Sequence, residues 1–228
     1  MAAMTPKEFI QHLRKVYDEI ISQRTFVYSE WFKESGDRLR EAYRQLACAE
    51  YASSWVHATL LERFPDLDLD IKTKVARQVW EEARHCKDIK SLLKEAFDED
   101  FALHDYTPVE EMTACFYEYY PSIDDPAGYF AAHNAAGERT ALRMLEKVGA
   151  FARELGMHSL ARVADKIVPE ERFHVRLGEQ VVEKYATTEE RQKKLEEYFR
   201  VGLDAHWNYT EGVYRKINSM EKTHSVTT

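Results

Sequence analysis

Two short stretches of the chain, residues 82–85 and 171–174, share the pattern Glu-x-x-His. Residues three positions apart lie on one face of a helix, so the carboxylate and the imidazole of such a pair can bind the same metal ion. Charged helices also produce a single Glu-x-x-His by chance. Two copies in one chain are stronger evidence for metal binding, and the residues around each copy test this interpretation.

Each motif is preceded by a further glutamate at nearly the same distance. Glu50 comes before Glu82, and Glu138 before Glu171, by the length of one helical hairpin. When such a hairpin folds back on itself, the earlier carboxylate lies level with the later motif. The repeat predicts a centre for two metal ions with six ligands, which are Glu50, Glu82, His85, Glu138, Glu171 and His174.

The residues around these glutamates indicate that the carboxylates point into the protein interior. Glu50 stands in the run Ala-Cys-Ala-Glu-Tyr-Ala, and Glu138 follows Asn-Ala-Ala-Gly. Ionised carboxylates buried together repel one another and are costly unless they are paired or coordinated. Two divalent ions would supply the compensating charge.

Glu81 and Glu170 each stand one residue before a predicted ligand. A metal-bound imidazole usually donates its free N–H to a carboxylate, which fixes the tautomer and orientation of the ring. We expect Glu81 and Glu170 to accept these bonds, each from the histidine of the opposite helix. The alternative is that both are surface glutamates on charged helices.

Three further residues are candidates for lining a cavity beside the metals: His57, Tyr43 and Asn134. His57 and Tyr43 are each seven residues from Glu50, on the same helix face. For both, a packed core side chain with its polar atom hydrogen-bonded is the alternative. His133 stands five residues before a predicted ligand, and α-helical geometry predicts that it lies off the ligand face. A hydrogen-bonded packing role is expected for His206 in the last helix.

Long helices must position these residues. Apolar residues recur three and four apart through most of the chain, and no stretch shows the alternation of a strand. The predicted helices are 6–34 with a break near Arg24, 37–63, a third from Asp68 or Asp70 to 96, a short one at 110–120, 127–154, 157–185 and 187–219. We therefore expect one all-α domain over residues 1–228. Its core is a four-helix bundle at 37–185 with a long crossover, flanked by helices 6–34 and 187–219.

Composition narrows the function classes. The chain has 228 residues and a formal net charge of -8, which disfavours a nucleic-acid binder. Its three cysteines form no CxxC pair, and neither a secretory signal nor an apolar run long enough for a membrane span is present. These features predict a cytoplasmic protein without membrane contact. A homodimer is left open.

The repeated motifs resemble the ferritin-like di-iron carboxylate superfamily. Residues 170–179 are similar to a metal-binding helix of the phenylacetyl-CoA epoxidase catalytic subunits and of the aldehyde-deformylating oxygenases, and residues 81–85 resemble a stretch of the bacterial multicomponent monooxygenases. The resemblance implies a ferritin-like four-helix bundle in which the six residues above bind two iron ions, with manganese or a mixed pair as alternatives. It also implies O2 as co-substrate.

By this resemblance we expect an O2-activating oxygenase or oxidase that acts on a small organic substrate. The chain contains no electron source, so an external donor such as a ferredoxin or a reductase is implied. The alternatives are a ferroxidase or a rubrerythrin-like peroxide-scavenging protein, a tRNA-modifying di-iron hydroxylase, and a structural oxygenase subunit. The chain lacks a rubredoxin-like cysteine module and adds helices before and after the core. Both departures favour the oxygenase over peroxide reduction or iron storage.

Overall fold

The computed structural model describes residues 3–24 and 36–220, and over these ranges the chain is all-α, as predicted. Its helices in these ranges are α1 Pro6–Ser22, α2 Asp37–Arg63, α3 Leu69–Phe97, α4 at 110–122, α5 at 126–154, α6 His158–Tyr185 and α7 Glu189–Ser219, with a 3₁₀ turn at Leu103–Asp105. The first helix ends at Ser22, close to the predicted break. The rest of the predicted helix 6–34, from residue 25 on, lies outside the described residues.

Short polar side chains determine where several helices begin. Thr5 and Glu8 form a reciprocal capping box at the start of α1, each accepting a hydrogen bond from the other's backbone N–H. The Asp68 carboxylate accepts a hydrogen bond of 2.9 Å from the Asp70 N–H at the start of α3. Of the two cap residues that the sequence allowed, Asp68 is therefore the one used.

The helices pack as two hairpins covered by flanking helices. The first hairpin is α2 with α3, the second is α5 with α6, and the two meet through contacts between α3 and α6. Helix α7 lies across the first half of α5, while α1 packs against α6. The middle of each core helix is thereby removed from solvent, including its charged residues.

Two helices contain a π-helical turn, at Thr113–Tyr119 in α4 and at Ala131–Gly137 in α5. In α5 the backbone N–H of Glu138 donates to the carbonyl of His133, five residues earlier. An i to i+5 bond widens the turn by one residue compared with an α-helix. The side chains on either side of the turn are therefore rotated relative to α-helical expectation.

Glycines on the neighbouring helices allow close contact with the π turn of α5. A Cβ atom at Gly178 of α6 would lie 2.5 Å from Cβ of Asn134, and one at Gly202 of α7 would lie 2.5 Å from Cα of Ala132. Neither distance is sterically allowed for a side chain. The absence of a Cβ at both positions lets two helix backbones approach the turn from two sides.

None of the helices within residues 3–24 and 36–220 combines the length and the apolar character that a membrane span requires.

Candidate metal centre

The six predicted ligands come together in the interior between the two hairpins. Helix α2 supplies Glu50, α3 supplies Glu82 and His85, α5 supplies Glu138, and α6 supplies Glu171 and His174. Their side chains form two groups, and within each group the potential ligand atoms lie within 4.8 Å of one another. All six residues are buried, with relative exposures between 0% and 7%.

The two groups share two carboxylates. Glu82 and Glu171 belong to both groups, whereas Glu50 and His85 belong only to the first and Glu138 and His174 only to the second. Nδ1 of His85 lies 3.2 Å from Oε2 of Glu50, and Nδ1 of His174 lies 3.1 Å from Oε1 of Glu82. Two adjacent cations would fit this arrangement, in which two carboxylates are common to both groups and each group has one further carboxylate and one imidazole.

Burial and mutual repulsion perturb these groups strongly. Burial and the neighbouring carboxylates raise the pKa of Glu50 and of Glu171. Burial opposes the charge of Glu82 as well, but the two nearby imidazoles outweigh it and hold the Glu82 pKa well below its usual value. Despite their own burial, the imidazoles of His85 and His174 have raised pKa values because carboxylates surround them. The site thus favours bound positive charge, which protons can supply in part.

The second nitrogen of each imidazole is held by a glutamate from the opposite helix. Nε2 of His85 lies 2.7 Å from Oε2 of Glu170, and Nε2 of His174 lies 3.0 Å from Oε2 of Glu81. With Nε2 donating to a carboxylate, Nδ1 of each ring is the nitrogen that can bind a metal. Both Nδ1 atoms face the shared carboxylates.

Each of these outer glutamates is in turn paired with an arginine. Arg77 contacts Glu81 with Nε at 2.9 Å and with its terminal nitrogen at 2.8 Å, and Arg84 pairs with Glu170. Arginine and histidine together outweigh burial and lower the pKa of Glu81, so its carboxylate is available as an acceptor.

The donor set fits a pair of divalent first-row metals. Four carboxylates offset the charge of two divalent ions, and nitrogen and oxygen ligands suit iron and manganese as well as zinc. No sulfur atom belongs to either group among the described residues. The fit therefore defines the class of metal and leaves its identity open.

Two neighbours hold the carboxylates in place and were missed in the sequence. Nε2 of Gln78 donates to Oε1 of Glu138 at 3.1 Å and to Oε1 of Glu82 at 3.3 Å, and the Ser53 hydroxyl lies 3.4 Å from Oε1 of Glu138. Gln78 precedes Glu82 by one helical turn, and Ser53 follows Glu50 by one. That spacing was the available signal.

The three residues predicted to line a cavity lie in two different places. His57 and Asn134 lie next to Glu138, with Nε2 of His57 3.4 Å from Oδ1 of Asn134. Burial, together with the nearby His133, lowers the His57 pKa to about 4. Tyr43 packs instead against Phe97 at the end of α3, with ring centroids 6.3 Å apart.

The expected position of His133 is wrong. Its Nδ1 lies 3.2 Å from Oε1 of Glu138, and its ring centroid lies 4.4 Å from that of His57. The reason is the π turn, which brings residues five apart onto one face, where an α-helix would separate them. The hydrogen-bonded role expected for His206 is also not found at Nδ1, which is buried without a partner among the described residues.

An open cleft of about 1070 Å³ lies against the outer side of α2 and α3. Its wall combines residues 48–54 of α2, 83–94 of α3 and 99–117 of the crossover. Burial, and next the charge of Glu50, raise the pKa of the Cys86 thiol in this wall to about 11. Cys86 directly follows the predicted ligand His85 in the chain, whereas none of the six predicted ligands lines the cleft.

Comparison with protein-family models, with curated proteins and with solved structures finds no match to this chain.

Proposed function

We propose that the chain is a di-iron oxidoreductase that activates O2 to oxidise a small organic molecule, using electrons from an external donor. The observation that supports this most is the pair of overlapping ligand groups with Glu82 and Glu171 in common. Glu82 and Glu171 would hold two metal ions close together, and such a pair of irons would supply two electrons to O2.

We also propose that the fold is a ferritin-like bundle. Its support is the order of the ligands: one glutamate and then one Glu-x-x-His on the successive helices of each hairpin, with a crossover of residues 98–125 between hairpins. In such bundles two helices supply a Glu each and the other two a Glu-x-x-His each.

The protein residues have definite tasks in this proposal. When bound, the iron pair would supply the binding and reduction of O2. Glu81 and Glu170 hold each imidazole with Nδ1 towards the centre, and Gln78 orients the carboxylates of Glu82 and Glu138. The apolar packing around the six ligands excludes bulk water, and the cleft beside Cys86 offers room for a substrate.

Metal loading and O2 uptake test the proposal together. Anaerobic protein is loaded with Fe²⁺, its iron content is measured, and the optical spectrum is followed after O2 is added. We expect at least two irons per chain and an absorption transient that needs no excess iron. His174→Ala should remove at least one of these irons while the helical circular dichroism stays unchanged. An unchanged iron content in that variant would refute the ligand assignment.

Iron oxidation is the second candidate, because a further group of potential ligands, containing Glu138, adjoins the pair and could receive additional Fe²⁺. A ferroxidase would consume many Fe²⁺ per chain in the same experiment. Turnover of excess iron would favour it over the oxygenase.

A further inference from the structure

Beside the pair lies a third group of potential ligands, formed by His57, His133 and Glu138. The potential ligand atoms of these three side chains lie within 4.8 Å of one another, and the residues are 0%, 2% and 5% exposed. Only Glu138 belongs to the predicted pair. The two histidines have no part in that centre.

The hydrogen bonds of His57 leave one lone pair without a donor. Its Nδ1 lies 2.8 Å from the backbone carbonyl of Ser53, and a carbonyl oxygen can only accept, so Nδ1 carries the proton. In the neutral ring Nε2 then carries a lone pair. Nε2 lies 3.4 Å from Oδ1 of Asn134.

The amide of Asn134 cannot turn to relieve this contact. Its Nδ2 donates to Oε1 of Gln78 at 2.8 Å and to the backbone carbonyl of His174 at 3.2 Å. The other end of Gln78 is also fixed, since its Nε2 donates to the carboxylates of Glu82 and Glu138. Oδ1 of Asn134 therefore faces the Nε2 lone pair, and two acceptors meet in the interior.

His133 completes this set of acceptors. Neither of its ring nitrogens has a hydrogen-bond partner in the described part of the chain, although Nδ1 lies 3.2 Å from Oε1 of Glu138. Aromatic rings fix its orientation: Tyr129 stacks on it with centroids 5.4 Å apart, and Tyr120 contacts it edge-on at 4.3 Å. Buried polar atoms are normally satisfied, so a rigidly held imidazole that makes no hydrogen bond indicates an absent partner.

We propose that His57, His133 and Glu138 bind a third divalent metal ion, with Oδ1 of Asn134 as a further oxygen donor. A cation satisfies the carboxylate, the amide oxygen and the imidazole lone pairs at once, and two imidazoles with oxygen donors suit a first-row transition metal. The alternative is a second proton on His57, which would let Nε2 donate to Oδ1 of Asn134. It would not give either ring nitrogen of His133 a hydrogen bond. The site does not depend on the proposed O2 chemistry.

Counting bound Co²⁺ tests the third site in the full chain. Metal-free protein is dialysed to equilibrium against Co²⁺, and cobalt per chain is measured by mass spectrometry together with the visible ligand-field spectrum. We expect three Co²⁺ in the unmodified protein and two in His133→Phe, which keeps an aromatic ring between Tyr120 and Tyr129. His57→Phe should show the same loss and serves if the first variant fails to fold.

His206→Phe is the matched control, since His206 is also a buried histidine next to the π turn but lies outside the group. It should bind three Co²⁺. Two Co²⁺ in both the unmodified protein and His133→Phe would overturn the third site and leave the pair intact. One Co²⁺ that disappears in His133→Phe would support the third site and refute the pair, and with it the proposed function.

Discussion

At the scale of single residues, Glu81 and Glu170 decide which nitrogen of each imidazole faces the centre. Each accepts from Nε2 of a histidine on the other helix, so α3 and α6 are tied together by two crossed hydrogen bonds. These contacts do not touch the cation positions. They act by fixing the tautomer and direction of a ligand before a metal arrives.

Replacing Glu81 by glutamine should weaken metal binding without removing a ligand. The amide oxygen can still accept from Nε2 of His174, but the negative charge that makes the imidazole a better donor is lost, together with the ion pair to Arg77. We expect the metal affinity to fall by about 10- to 100-fold. A competition titration with a chelating dye measures it.

Glu146→Gln is the control for this change, because Glu146 forms an exposed ion pair with Arg172 between α5 and α6, and its replacement removes the same charge at the protein surface. It should leave the affinity unchanged. Equal weakening in both variants would mean that overall charge, and not the bond to His174, is responsible.

How much the sequence could predict at this scale depends on the local period. The proximity of Glu82 to His85 and of Glu171 to His174 could be predicted, because both residues of each motif lie within one α-helical turn. The proximity of His133 to Glu138 could not be predicted, because it requires a π turn. Asn134 could be suspected but not placed, since its role depends on an amide network that spans three helices.

At the scale of the elements, the π turn of α5 is held between α6 and α7. Gly178 and Gly202 provide the room, and the turn presents His133, Asn134 and Glu138 towards the interior. A π turn replaces the usual i to i+4 hydrogen bonds by i to i+5 bonds, and it is retained where packing stabilises it. Its position directly before a predicted ligand indicates that it serves to aim that ligand.

Substituting Gly202 by alanine should destabilise the protein and disturb this turn. The new Cβ would meet the backbone of Ala132 at 2.5 Å, and backbone cannot move aside as a flexible side chain can. We expect a loss of about 1–3 kcal/mol in the free energy of unfolding, measured with urea. Gly149→Ala, whose Cβ would have its shortest contact at 3.2 Å, with Cβ of Ala164, should lose much less. Equal effects of the two variants would argue against a tightly held turn.

Most helix boundaries could be predicted, whereas the interruptions within helices could not. The apolar period of α2, α3 and α6 is unbroken and ends near caps or turn residues, so their limits followed from it. The residues of the π turn do not distinguish it from an α-helix. Ala131–Gly137 contains four alanines, which also favour an α-helix, and the contacts of α6 and α7 with the turn are not apparent from the local sequence.

At the scale of the whole molecule, the flanking helices fasten the bundle around its charged centre. Arg14 of α1 and Arg139 of α5 both bind the carboxylate of Glu179 on α6, with Arg14 making bonds of 2.7 and 2.6 Å. These ion pairs join three helices outside the centre. The bundle therefore has stabilising contacts outside the centre, and metal bound at the proposed centre would add to them in a way that depends on pH.

Without metal, the free energy of unfolding should fall as the pH rises above 6.5. The carboxylates around His85 and His174 outweigh burial and raise the pKa of both imidazoles above 6.5, so the folded state binds protons that the unfolded state has released. Such a group stabilises the fold fully below its unfolded pKa, and the contribution is lost as the pH rises through the folded pKa. Each imidazole can contribute up to about 1.4 kcal/mol per pH unit.

Of the four carboxylates, two also lower the free energy of unfolding as the pH rises, and the other two lower it as the pH falls into the acid range. The raised pKa values of Glu50 and Glu171 also favour the protonated folded state, from pH 4.5 upwards. The lowered pKa values of Glu82 and Glu138 stabilise the fold above pH 4.5, and that contribution is lost as the pH falls below it.

Divalent metal would replace the bound protons, so its stabilising effect should grow from pH 6.5 to 8.5. Urea unfolding with and without Mn²⁺ across this range measures both trends. In His174→Gln the metal-free slope should be shallower, and a metal-free stability that rises with pH in the unmodified chain would contradict a centre organised around bound positive charge.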